Sequence, residues 1–217
     1  MTRRVDAISR WAVIACGGWL LGTAAGPAWA FTATLNPASP LTVYLQVGVG
    51  SFTNNYIQGG QPQNNSTVNT ETVAVASTAL GNGTAQAMST NSTAAQSFWD
   101  GFNYCSVPGQ LYIGGFYRTT GASTAVAQVT ATVPVVMTDA AGDTMPFSRI
   151  RWTSSGNADT GTEAFPSASF ASGGVQNVGS MRGNTWNESC WSFSYLNNTV
   201  PPAGTYLGVV LYTLSAP

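Results

Sequence analysis

The sequence predicts an all-β protein, an antiparallel β-sandwich of about eight or nine strands. Three observations carry this. Several runs alternate apolar and polar residues: Leu41, Val43, Leu45, Val47 and Val49 interleave with Thr42, Tyr44, Gln46 and Gly48, the period of a half-buried strand. Turn formers, as in "TTGAS" and "TDAAGDT", separate the runs. No run has a helical period beyond a short turn near Ala94 to Phe98.

In chain order, the first strand is Leu41 to Val49, and its phase begins earlier at Phe31, Ala33 and Leu35 before Pro37 and Pro40 interrupt it. A polar loop spans 51–67, and Val68 to Ala76 alternates again. Gly109 to Arg118 and Thr124 to Val133 flank "TTGAS", a hairpin signal. Gly114 and Gly115 stand in mid-strand, where glycine marks a bulge or a close backbone approach. Phe147, Ile150 and Trp152 form the next strand. Phe170 to Met181 alternates weakly, and Trp186 to Leu196 alternates well. A closing strand starts at Tyr206. A closed barrel is the alternative architecture, but the long polar loops and uneven strand spacing favour two packed sheets.

The N-terminus reads as a signal peptide, residues 1–30. Arg3, Arg4 and Arg10 precede the apolar stretch Trp11 to Leu21, and Ala28-Trp29-Ala30 has a signal-peptidase form. Thr2-Arg3-Arg4 hints at a twin-arginine signal and Val13-Ile14-Ala15-Cys16 at a lipoprotein box. Asp6 breaks the first pattern, and the second leaves too short an apolar core. Residues 31–217 are then one exported domain, in the periplasm, at the cell surface or outside a bacterial cell. No later stretch supplies the roughly 20 apolar residues of a membrane helix, so no integral membrane segment is expected after cleavage.

Only 7% of residues are charged, and there is no lysine or histidine. After residue 30 the cations are Arg118, Arg149, Arg151 and Arg182, outnumbered by Glu71, Asp100, Asp139, Asp143, Asp159, Glu163 and Glu188. Such a surface offers no phosphate-binding footprint, so nucleic acid is not an expected partner. Without histidine or lysine, Ser–His–Asp, Cys–His and Ser–Lys catalysis and histidine-bound zinc are all excluded. Carboxylates alone remain. Asp159-Thr160-Gly161-Thr162 matches an aspartic-protease core, but polar Asn157-Ala158 precede it and no second copy exists for the two-carboxylate site. Asn157, Asp159, Gly161 and Glu163 place oxygens at alternate positions, which a Ca²⁺ ion could use; they read first as a solvated turn. The expectation is no catalytic residue, no metal site and no cofactor.

Cys105 and Cys190 are the two cysteines left after residue 30. In an exported chain they are expected to form one disulfide, closing a loop of about 85 residues for about 4 kcal/mol in the chain-entropy picture. Aromatic residues flank both cysteines: Phe98, Trp99, Phe102, Tyr104, Tyr112, Phe116 and Tyr117, then Trp186, Trp191, Phe193 and Tyr195. They read first as core packed on the disulfide between sheets, and second as a glycan-binding platform.

The last strand is apolar on both faces. Tyr206, Val210, Tyr212 and Leu214 share one phase, and Leu207, Val209 and Leu211 the other. A sandwich core covers one face, so the strand is a candidate surface for a partner, with Tyr206, Val210, Tyr212 and Leu214 as the partner-facing set. The run Pro202-Ala203-Gly204-Thr205-Tyr206-Leu207-Gly208-Val209-Val210 resembles the last strand of chaperone–usher pilins and spore-coat-U-like domains. "SFWDGFNYC", "GGFYR" and "PFSRIRWTSSG" make the whole chain similar to exported proteobacterial proteins of unassigned function. The pilin resemblance implies an immunoglobulin-like sandwich completed by a strand from a periplasmic chaperone or from the next subunit. Cys105 and Cys190 depart from it, lying far apart and late in the chain. The expected function is therefore a non-enzymatic structural or surface subunit, partnered by copies of itself or a chaperone. A carbohydrate-binding or adhesive module and a carboxylate-dependent hydrolase are the alternatives. Leu41–Val49 is expected beside Tyr206–Leu214, leaving Phe31, Ala33 and Leu35 free to enter a neighbouring subunit.

Overall fold

The computed structural model describes residues 33–121, 124–157 and 163–217. The expected signal peptide and Phe31 lie outside these residues. The runs that alternate in the sequence become strands because one phase of each finds an apolar neighbour. They are β1 (Ala33–Thr34), β2 (Thr42–Val47), β3 (Glu71–Thr72), β4 (Gln86–Ala87), β5 (Ser89–Thr90), β6 (Leu111–Arg118) and β7 (Val126–Val133). Then come β8 (Val136–Thr138), β9 (Thr144–Pro146), β10 (Ile150–Ser155), β11 (Ala168–Ser169), β12 (Gly174–Arg182), β13 (Thr185–Tyr195) and β14 (Leu211–Ser215). The strand total exceeds the expected eight or nine because several runs break into two- or three-residue ladders. The helical segments are three-residue 3-10 turns.

The fold is an antiparallel β-sandwich. One sheet has the order β11-β10-β13-β6-β2, and the other β12-β7-β14. β13 is the spine of the larger sheet. Along one side it pairs first with β1 (Ala33↔Trp186) and then with β10, and along the other with β6 and then β4. Between the sheets lies the main core: Ile113 and Tyr117 of β6, Val129 and Ala131 of β7, Trp152 of β10, Met181 of β12, and Trp191 and Phe193 of β13. Trp152 sits 4.8 Å from Phe170 and 5.0 Å from Trp191, ring centre to ring centre, tilted contacts that add to the area each ring buries.

The larger sheet is covered on its other face as well. Leu111 through Tyr117 are all buried, so β6 is enclosed on both sides. Its even-numbered residues meet a second apolar cluster, in which Phe116, Trp186, Ala33 and Leu35 are joined by Phe52, Tyr56, Phe98 and Trp99 from the loops. The molecule thus has three layers: small sheet, large sheet and a loop layer. Gly115 allows β2 to lie close, since a Cβ there would collide with the Tyr44 carbonyl oxygen. The sequence expectation of a close backbone approach is met at this glycine.

Three expectations are corrected. Leu41–Val49 does not pair beside the last strand; β2 pairs with β6, and β14 pairs with β7 in the other sheet. β2 and β14 only approach each other, within 8 Å at their Cα atoms. The disulfide does not lie between the sheets. Cys105 and Cys190 belong to a cluster with Tyr112 and Ala94 on the loop-covered face. Val68–Ala76 forms a ladder only at Glu71–Thr72, because the rest of the run packs by side chains and finds no continuous strand neighbour.

Candidate functional site

The C-terminal strand is an edge. β14 pairs with β7 from Leu211↔Thr132 to Ser215↔Gln128, and among the described residues no further strand of its sheet stands beyond it. Ahead of β14 the chain makes one bridge, Thr138↔Leu207. The partner-facing assignment of Tyr206, Val210, Tyr212 and Leu214 is reversed: these four pack against the main core. The Tyr212 ring lies 5.9 Å from Trp191. The opposite phase is the exposed one, with Leu207 at 71%, Val209 at 74% and Leu211 at 65%. Leu211 and Val175 of β12 both stand opposite Thr132, and Val175 is exposed too. An apolar row therefore crosses the outer face of the small sheet.

The expected strand donor is not free. Ala33 pairs with Trp186 and Thr34 with Thr185 of the same chain. The Leu35 amide donates to the Asn184 carbonyl at 2.9 Å. Ala33 is 5% exposed and Leu35 2%. Both contribute to the loop-covered cluster, because β13 extends past β10 and leaves a slot that β1 fills.

Cys105 and Cys190 are bonded, with Cα atoms 5.5 Å apart. The bridge anchors the 91–108 segment to β13. Next to it is a buried carboxylate that the sequence reading did not single out. Glu188 follows Trp186 and precedes Cys190 in one phase of β13. Ser97 Oγ donates to its Oε1 at 2.7 Å, and Tyr112 Oη and Trp186 Nε1 donate to its Oε2 at 2.7 and 2.9 Å. The Tyr104 hydroxyl donates to its backbone carbonyl at 3.1 Å. Burial raises the Glu188 pKa, against the pull of these three donors, and the charge of Asp100 adds to the rise. Both oxygens are occupied by protein donors, so the group acts as a clamp joining loop, β6 and β13. The legible signal was its position, a charge between Trp186 and Cys190 in one phase of a strand-like run.

A cleft of about 360 Å³ opens nearby, between Val49–Gly50 and Thr93–Gln96, with Phe98 and Asn103 on its wall. No carboxylate lines it. Trp186 is buried, and Trp99 is half-buried and stacked on Tyr56 at 5.2 Å. These rings pack on each other and on Phe116. Asp159 and Gly161 lie outside the described residues. Of the flanking residues, Asn157 donates to the Tyr104 carbonyl and to Gln110, and Glu163 accepts from Ser189. Among the described residues no three metal-ligating side chains converge, and no helix is long and apolar enough to cross a membrane.

No family model matches this chain, and no curated protein or solved structure matches it at a significant level.

Proposed function

We propose that this chain is an exported, non-enzymatic structural subunit of a bacterial surface assembly, and that copies associate edge to edge through β14. The observation that carries the reading is the combination at that strand: one side of its backbone has no ladder partner, and Leu207, Val209 and Leu211 are exposed beside it. A strand edge without a ladder partner, flanked by exposed apolar side chains, normally attracts another strand. The low charge of the chain supports the same reading, since joining two such edges desolvates few ions. The disulfide suits an oxidising compartment. Donation of Ala33 and Leu35 to a neighbour has no part in the proposal, because both are held in their own chain.

The experiment is sedimentation across a concentration series of the chain and of Val209→Lys. The subunit reading expects association in the parent and at least about tenfold weaker association in the variant, roughly 1.4 kcal/mol. A parent that stays monomeric at high concentration overturns it. So does equal association in the variant.

A further inference from the structure

The segment 68–76 crosses the side of the sandwich where β2 and β14 approach. At one end the Asn69 side chain accepts the Val49 amide just past β2, at 2.7 Å. Two residues on, Glu71 lies near enough to Tyr212 of β14 for its charge to act on that hydroxyl. Val73 and Val75 then pack on the main core. Residues 69, 71, 73 and 75 are half-buried, while 68, 70, 72, 74 and 76 are exposed. The segment is therefore a strap with one inward face, lying over the gap between two sheet edges. Its ladder to the rest of the protein is two residue pairs, Glu71↔Thr90 and Thr72↔Ser89.

The inward face carries a carboxyl between Asn69, which is hydrogen-bonded, and Val73. Glu71 Oε1 is buried and has no hydrogen-bond partner. The polar groups facing the carboxyl are the Thr90 hydroxyl from β5 and the Tyr212 phenol from β14. Neither brings positive charge. Arg118 is bonded to the carbonyls of Asn36 and Pro37, Arg149 to Asn198, and Arg151 to Ser194. A neutral acid is tolerated in such a place, and an unpaired carboxylate is not. Burial accordingly pushes the Glu71 pKa up to about 7, opposed by the Thr90 hydrogen bond.

We propose that residues 68–76 form a proton-operated strap, closed over the β2–β14 side while Glu71 is protonated and released when Glu71 ionises. The closed form holds the proton more tightly than the open form, where Glu71 is an ordinary solvated acid. Closure is therefore strongest below the titration of the open form, weakens about tenfold per pH unit between the open-form and closed-form titrations, and levels off above the latter. Release bares Val73, Val75 and the inner side of β14. The latch stands independently of the subunit reading, since it is read within one molecule.

Hydrogen exchange of the full chain, corrected for the intrinsic rate and referred to β13, tests this at about pH 5.5 and about pH 8.5. Opening of 68–76 is expected to rise by at least about tenfold in the parent and to stay unchanged in Glu71→Gln. A parent strap equally protected at both values overturns the proposal, as does an unaltered pH response in the variant. If the amide opens the strap at both values, Glu71→Leu decides: it must keep the strap closed at both, and an open strap there also overturns the proposal.

Discussion

Gln46 of β2 and Glu188 of β13 lie level on either side of Gly114 of β6, and the space left by the missing side chain holds the Tyr112 hydroxyl. The register Gln46↔Gly114↔Glu188 aligns a glutamine, a gap and a carboxylate across three strands. Gln46 is itself engaged, accepting from the Tyr44 hydroxyl at 2.6 Å and donating to the Gly48 carbonyl at 2.7 Å. Tyr112 is fully buried, so its phenol has nowhere else to go. Gly114→Ala puts a methyl group against that ring. The expected outcome is a loss of about 1–3 kcal/mol, the usual cost of overpacking, read as a lower urea midpoint. An unchanged midpoint contradicts the packing.

Glu188 gives a pH dependence whose sign follows from its environment. Its folded pKa stands above the ordinary carboxylate value, chiefly through burial. The folded state therefore holds the proton more tightly than the unfolded chain. This contribution is whole below about pH 4.3 and is lost as pH rises through the folded titration. Urea midpoints measured against pH should fall over that window, and the fall should shrink in Glu188→Gln. The variant should also be weaker throughout by about 1–3 kcal/mol, because its amide cannot accept from all three donors. A slope identical to the parent's would remove Glu188 as its source.

The disulfide fastens the 91–108 segment to β13. Replacing Cys105 and Cys190 together by serine is expected to cost about 2–4 kcal/mol. Proteolytic nicks should then appear first within 91–108, since the segment would lose its covalent tie to β13 and keep only hydrogen bonds and ring contacts. Nicks distributed evenly along the double variant would argue against a local anchor.

Leu35 separates a core residue from a strand donor. Leu35→Ala is expected to lower stability by about 2–5 kcal/mol in the monomer, independently of protein concentration. A variant with parental stability but weaker association would instead restore Leu35 as a donor to a neighbour.

Much of the architecture follows from local pattern. Alternation in Leu41–Val49, Thr124–Val133 and Trp186–Leu196 marks strands, because a pleated chain sends successive side chains to opposite faces. The absence of a helical period, and two cysteines after an export-like start, lead to an all-β fold with a Cys105–Cys190 bond. Alternation also separates Tyr206, Val210, Tyr212 and Leu214 from Leu207, Val209 and Leu211. It does not say which set faces the core. That was decided when β14 joined β7, placing Tyr212 on Trp191 and leaving Val209 in solvent. Pairing is likewise non-local: β2 took β6 as its neighbour, while Ala33 and Leu35 filled the slot along β13. A run apolar on both faces, such as β6, needs covering on both, and only the assembled molecule shows that loops supply the second cover. The two half-buried acids divide in the same way. Glu71 and Glu188 are visible in the chain as charges within alternating runs. The tertiary structure alone gave Glu188 three donors and left one oxygen of Glu71 without any, because hydrogen-bond satisfaction depends on which strands and loops come together in space.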